Sequence, residues 1–288
     1  MKVSVIIPTY NRADFLAEAI DSVLNQTWKD LETLVVDDGS TDSTWEVVAR
    51  YGERLKYFYK KNEGPSSARN VGIREAMGTY VAFLDSDDVW EPEKLFIQMN
   101  FMRKHPEIKL VCTDSSVIDS RESREGKLKT DLMGNLFSLL YSNSFIRTST
   151  VLMEKACFQE VGYFDERYRS AEDYDVWLRV ARSYPIAYLN RPLVRYRKHG
   201  GNVSHDKITL RRNALNVLEA HYDPKEISAR TYRTRMSNLH IYFGRAHLRL
   251  GDKEMARRSF DRSLRLTPFR VRSIRYWLKA RLSTLRKK

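Results

Sequence analysis

VSVIIPTYNRADFLAEAIDSVLNQTWKDLETLVVDDGSTD, residues 3–42, decides the fold. Two apolar, β-branched runs, VSVIIP (3–8) and TLVVDD (33–38), bracket a segment that places Phe15, Leu16, Ala19, Ile20, Val23 and Leu24 at helical spacing. Continuous runs of this kind are strands buried on both faces of a parallel sheet, and the amphipathic segment is the crossover helix between them. The stretch reads as a βαβ unit.

The alternation continues outward. TDSTWEVVARY (41–51) reads as a helix with a Thr or Asp cap, LKYFYK (55–60) as a strand, and SSARNVGIREA (66–76) as a helix capped by serine. TYVAFLD (79–85) makes a fourth strand, and PEKLFIQMNFMRKH (92–105) a helix with Pro92 at its start, where the missing N–H is harmless. The pattern predicts a doubly wound α/β sheet with ligands at the carboxyl ends of its strands. Beyond residue 105, KLVCTD (109–114), FIRTSTVLM (145–153) and IAYLNRPLVRYR (186–197) read as strands, DYDVWLRVARSY (173–184) as a helix, and the polar SRESREGKLK (120–129) as a mobile loop.

At 288 residues, 42% hydrophobic and 30% charged, the chain holds enough apolar material for one large or two modest globular domains. Its two cysteines, Cys112 and Cys157, lie far apart, which excludes a disulfide framework or a cysteine metal site and fits a reducing compartment. The apolar run before Pro8 is too short for a secretory h-region, and no stretch approaches the ~20 apolar residues of a spanning helix. A cytoplasmic location is expected. The net charge of +13 is concentrated at one end: residues 1–206 hold 28 Lys and Arg against 31 Asp and Glu, a net of −3, leaving 22 against 6, a net of +16, for residues 207–288.

Three polar clusters follow strand ends that converge on one sheet edge: TYNR (9–12), DDGSTD (37–42) and DSDD (85–88). Each taken alone also reads as a cap for the next helix, Asp42 in particular. Capping does not explain why Asp85 and Asp87 stand two apart at a strand end. Like charges that close repel, and a divalent cation with oxygen ligands resolves the repulsion. Held by so few carboxylates, such a cation completes its shell with water and substrate phosphates.

VSVIIPTYNR, VVDDGSTD, NEGPSSARNVGI, FLDSDDVW and SAEDYDVWLR, in this order, resemble the family 2 glycosyltransferases with the GT-A fold, over residues 1 to about 205. The resemblance implies inverting transfer of a sugar from a nucleoside-diphosphate donor, usually UDP-linked, in a domain of residues 1–205 with a donor half (1–105) and an acceptor half (106–205). It implies that Pro8, Thr9, Tyr10 and Arg12 border the nucleotide, that Asp38 accepts a hydrogen bond from the base with Asp37 beside it, and that Arg69 lines the donor pocket. Asp85 and Asp87 match the family's DxD motif: Asp87 is implied as the metal ligand, Asp85 lies nearer the ribose but close to the metal, and Ser86 stands between them in the donor site. The metal would be Mn²⁺ or Mg²⁺. Asp173 in SAEDYDVWLR is implied as the base that deprotonates the acceptor, with Glu172 as the alternative. His199 would approach the metal or diphosphate; as a residue by itself it reads equally as an exposed loop histidine, and His205 has weaker support. Asp175 is expected to be solvated or paired, and GYFDE (162–166) to shape the acceptor pocket.

Residues 206–288 lie outside the resemblance and read as nearly all helix. HIYFGRAHLRLGDKEMARRSFDRSLRLTP (240–268) resembles one tetratricopeptide unit, with Gly251 at the turn, Ala256 and Phe260 on the second helix, and Pro268 ending it. RVRSIRYWLKARLSTLRKK (270–288) has eight basic residues, no acid and one apolar helical face, the profile of an interfacial helix drawn to anionic lipid. The same segment also reads as a solvated helix packing on the tetratricopeptide-like hairpin; as an interfacial helix it would hold the protein peripherally on the inner face of the cell membrane, which suits a glycan or lipid-linked glycan acceptor in surface polysaccharide assembly. Nucleic acid is the weaker reading of the same charge, because no recognised binding motif accompanies it. Nucleotidyl transfer to a sugar phosphate fits less well, because PTYNR stands where a glycine-rich basic loop is needed. A non-catalytic scaffold is the remaining alternative.

Overall fold

A computed structural model describes the protein except residues 119–127, 169, 200–206, 270, 272–273 and 279–288. Most of the polar loop 120–129, His205 and most of the basic segment 270–288 therefore lie outside the described residues. The chain divides into two compact units, Met1–Gly200 and Gly201–Lys288.

In the first unit the predicted alternation is present: β1 (Val3–Thr9), α1 (Ala13–Leu24), β2 (Leu31–Asp37), α2 (Thr44–Ala49), β3 (Lys56–Tyr59), α3 (Pro65–Glu75) and β4 (Tyr80–Phe83). It continues as β5 (Val89–Trp90), α4 (Lys94–Lys104), β6 (Leu110–Val117), β7 (Leu132–Gly134), α5 (Phe137–Ser142), β8 (Leu152–Glu154), α6 (Cys157–Val161), α7 (Glu172–Ser183) and β9 (Ile186–Tyr196). The sheet runs β3-β2-β1-β4-β8-β6-β9-β5, with β7 paired to β9. The first four strands are parallel, β8 is antiparallel to both its neighbours, and β6 pairs parallel with β9. Every residue of β1 is buried, as its unbroken apolar run requires. Because β2 and β4 flank β1 on opposite sides, the chain reverses its direction of winding there, and the carboxyl ends of β1 and β4 mark the position where open α/β sheets bind ligands. Helix α3 closes on β1 through Gly72, where a Cβ would come within 2.4 Å of the Ile6 side chain.

Three local expectations need correction. Helix α3 begins at Pro65 with Gly64 as its N-cap at φ 100°, so glycine's freedom at positive φ, not a serine side chain, starts it. Pro92 lies before α4, whose N-cap is Glu93; its carbonyl instead accepts the Thr27 amide, joining the loops after α1 and β5. The stretch 145–153 is not one strand: residues Thr148–Thr150 form a 3-10 turn and only Leu152–Glu154 joins the sheet. The polar residues of that turn bind carboxylates elsewhere, as described below.

The second unit contains α8 (Lys207–Ala220), α9 (Ala229–Arg249) and α10 (Lys253–Leu266). Gly251 turns between α9 and α10 at φ 78°, and Ala256 and Phe260 are fully buried. Gly244 lets the two helices approach, since a Cβ there would lie 2.4 Å from the Phe260 ring. Helices α9 and α10 thus pack against each other. No helix among the described residues is long and apolar enough to cross a membrane.

Candidate active site

The loops after β1 and β2 are built as one wall. Asn11 adopts φ 50°, its side-chain oxygen accepts the Thr41 amide at 2.7 Å, and its own amide donates to Ser40 Oγ at 2.9 Å. Asp42 accepts the amides of Ala13 and Thr44 at 3.1 Å each, so it serves the starts of both α1 and α2. Asp37 takes the Ser40 amide and the Tyr57 hydroxyl, both at 2.8 Å. Asp38 takes Lys60 Nζ at 2.7 Å, the Glu63 amide at 3.1 Å and the Gly64 amide at 2.7 Å, pinning the loop that leads into α3. Pro8 and Thr9 end β1 buried, with the Thr9 hydroxyl lacking a hydrogen-bond partner, whereas Tyr10 is 45% exposed. Arg12 reaches across so that its Nε lies 4.0 Å from Asp87 Oδ2.

The three acids after β4 meet three different partners. Asp85 Oδ1 accepts Arg69 Nη2 at 2.9 Å. Asp87 Oδ2 lies 2.8 Å from His199 Nε2, and Ser86 is buried between them. Asp88 is buried as a structural post: Ser149 Oγ donates to its Oδ2 at 2.6 Å and the Arg197 amide to its Oδ1 at 3.1 Å. Burial, followed by the negative charge of Asp85, pushes the Asp87 carboxyl above the usual range, opposed by His199 and Arg12. Burial and the charges of Asp85 and Asp87 push Asp88 up as well.

The third part of the site is the start of α7. Ala171 precedes it at φ 64°, a left-handed conformation unusual for a residue with a Cβ, after which Glu172 is buried and Asp173 half-buried. Glu172 is 7% exposed and accepts Arg69 Nη1 at 2.7 Å. Arg69, itself buried, thereby bridges the acidic turn and the start of α7. Asp173 is only partly exposed: its Oδ1 accepts the Tyr174 amide at 2.7 Å and its Oδ2 the Thr148 hydroxyl at 3.2 Å. Burial and the neighbouring Glu172 charge, partly offset by Arg69, push its carboxyl up to about 6. A carboxylate tuned toward neutrality has the properties of a general base. Asp175 is paired with Arg179, which also donates to the carbonyls of Gly162 and Tyr163 and so fixes the GYFDE stretch. Asn70 holds the same stretch through the Phe164 amide and carbonyl. Trp90 and Trp177 are core residues, 2% and 1% exposed.

The structure thus brings Arg12, Arg69, Asp85, Asp87, Glu172, Asp173 and His199 into one connected arrangement. Sequence reasoning missed Asn11, Lys60, Thr148, Ser149 and Arg197. An Asn between a strand and a helix was a readable signal for a left-handed turn; the other four carried none, because their partners are distant in sequence.

Among the described residues no group of three or more His, Cys, Asp or Glu side chains is already gathered closely enough to hold a metal ion. By chemistry alone the side chains at the acidic turn are of the kind a divalent cation takes: the Asp85 and Asp87 carboxylates, and the His199 imidazole with its Nε2 2.8 Å from Asp87 Oδ2.

A mixed sheet, parallel through β3-β2-β1-β4 and flanked by helices, with an acidic turn after β4, is the GT-A fold expected from the sequence. The family model described as Glycosyl transferase family 2 matches residues 4–164, and the chain belongs to that family. It is 40% identical over 202 residues to an uncharacterized glycosyltransferase of Rickettsia felis, covering 69% of this chain but 33% of that one, so it spans about a third of that relative's length. It is 33% identical over 223 residues to the Escherichia coli protein WfaP, a UDP-Glc:alpha-D-GlcNAc-diphosphoundecaprenol beta-1,3-glucosyltransferase, covering 76% of this chain and 86% of the relative. In fold it is similar to residues 1–349 of S. aureus TarS in complex with UDP (TM-score 0.71, 20% identity, 100% of this chain and 92% of the other). It is also similar to the mannosyltransferase PcManGT of Pyrobaculum calidifontis in complex with GDP-Man and Mn²⁺ (TM-score 0.59, 19% identity, 98% and 80%).

Proposed function

We propose that residues 1–205 transfer a sugar, with inversion, from a nucleoside-diphosphate donor, UDP-linked, to a hydroxyl of a glycan or lipid-linked glycan acceptor in surface polysaccharide assembly. The observation that carries this reading is the pairing of an acidic turn with a separate, partly exposed Asp173 whose carboxyl is raised to about 6. Asp173 takes the proton of the attacking hydroxyl, with its second oxygen fixed by the Tyr174 amide so that one oxygen is presented. Glu172 serves this base indirectly, through Arg69, and the wall formed by Pro8, Thr9, Tyr10, Arg12, Asp37 and Asp38 receives the nucleotide. A divalent cation, Mn²⁺ or Mg²⁺, held by Asp87 with Asp85 and His199, would neutralise the charge developing on the departing diphosphate. The names of WfaP and of the TarS and PcManGT complexes support a nucleotide-sugar donor, and the last supports a cation.

The basic helical region 206–288 is proposed to rest on the anionic inner face of the cell membrane, which suits a lipid-linked acceptor. Its described apolar residues there include Val271, 78% exposed, and Leu278, 46% exposed.

The test is a thermal-shift screen of nucleotides and nucleotide-sugars with Mn²⁺ or with EDTA, followed by product analysis on the donor that binds. Ligand at about 100 Kd adds ~2.7 kcal/mol of apparent stability. A metal-dependent shift confined to one nucleotide class is expected; no shift with any nucleotide would sink the reading.

A further inference from the structure

We propose that the turn Thr148–Thr150 is the positioning element of the reaction: Thr148 holds the Asp173 oxygen that accepts the proton, while Ser149 locks the acidic turn that holds the donor. This rests on the reading of Asp173 as the base.

The geometry is specific to this turn. Thr148, Ser149 and Thr150 are 4%, 1% and 1% exposed, so their hydroxyls must find partners inside the protein. Thr148 Oγ1 donates to Asp173 Oδ2 at 3.2 Å, while Oδ1 is already committed to the Tyr174 amide. Ser149 Oγ works in both directions: it accepts the Asp85 amide at 3.1 Å and donates to Asp88 Oδ2 at 2.6 Å. Two consecutive residues therefore reach the two halves of the site, beside the Arg69 bridge that ties Asp85 to Glu172.

The turn is itself anchored. Trp90 Nε1 donates to the Ser149 carbonyl at 2.8 Å, and Gln98 Nε2 donates to the Thr150 carbonyl at 2.9 Å and to the Val111 carbonyl at 3.0 Å. Gln98 Oε1 in turn accepts from Lys94, whose Nζ sits 3.9 Å from the centre of the Trp90 ring. A buried lysine with one amide partner and one aromatic face is costly to maintain. Here it completes the brace behind the turn. The hydroxyls are thus held by the core and are not free to follow the carboxylates.

A hydroxyl that donates to a carboxylate favours its ionised form. The other charges facing Asp173 are Glu172 and Asp85, which favour its proton, and Arg69, which opposes it. Removing the Thr148 donor leaves those three unchanged and raises the midpoint of Asp173.

The experiment uses the full chain with Thr148→Val, Thr148→Ser and Ser149→Ala. It reads the carbon-13 titration of the Asp173 carboxyl, assigned with Asp173→Asn, beside kcat and donor KM for transfer. Thr148→Val should move the midpoint up by about half to one pH unit and lower kcat about 1.5- to threefold at pH 6.5 with donor KM unchanged, and Thr148→Ser should restore both. Ser149→Ala should leave the Asp173 midpoint in place and raise donor KM. The inference is overturned if Thr148→Val titrates as the natural chain does, or if Thr148→Ser is no better than valine. The titration needs no substrate, so a shifted midpoint without turnover on any nucleotide-sugar upholds the Thr148 contact and refutes the proposed reaction instead.

Discussion

Replacing Asp173 with asparagine tests the chemistry and the physical reason for it together. The carboxyl is raised in the folded protein from an ordinary 3.8 to about 6. Two units correspond to about 3 kcal/mol of preference for the protonated form, and partial solvent contact reduces this to about 1–3 kcal/mol. The folded state therefore holds the proton to higher pH than the unfolded chain does. The stability this proton contributes is complete below pH about 4 and is lost as pH rises through about 6. Asparagine keeps the shape and has no proton to lose. Urea unfolding between pH 4 and 8, followed through the buried Trp90 and Trp177, should show Asp173→Asn gaining about 1–3 kcal/mol on the natural chain across this window, while transfer falls ~10²-fold or more. A stability difference independent of pH would refute the assignment of a raised carboxyl to Asp173. Full activity in the variant would refute its role as base.

Arg69→Met should destabilise the first unit by about 3–5 kcal/mol, because it strands the buried Glu172 carboxylate; adding Glu172→Gln should recover part of the loss in a double-mutant cycle, and strict additivity would show that the pair is not coupled. Asp87→Ala should abolish the metal-dependent thermal shift by nucleotide while leaving the fold intact by circular dichroism; an unchanged shift would place the cation elsewhere. Gly72→Ala should cost about 1–3 kcal/mol in urea unfolding, since its Cβ would press on Ile6 in the core; a neutral result would mean that α3 can move off β1 freely.

The sequence by itself determined the order and type of the elements around the site. A parallel strand buried on both faces must be a continuous apolar run, and VSVIIP and TLVV can be little else. It also determined that polar residues after β1, β2 and β4 meet at one edge, because strand ends in a parallel sheet are adjacent whatever the loops do. These signals are local, repeated and additive, so they survive without knowledge of the chain's path. The tertiary structure decided which partner each acid meets. The resemblance separated Asp85 from Asp87 in DSDD but named no partner for either and gave Asp88 no place; in the fold one faces Arg69, one faces His199 and one is a buried post on Ser149. Arg69 meets Glu172 across 103 positions and Ser149 meets Asp88 across 61. Such pairings depend on the packing of α3, α7 and the 148–150 turn against one sheet. A hydroxyl three residues from a strand gives no sign in sequence of the carboxylate it will hold, because only the folded backbone brings the two within hydrogen-bond reach.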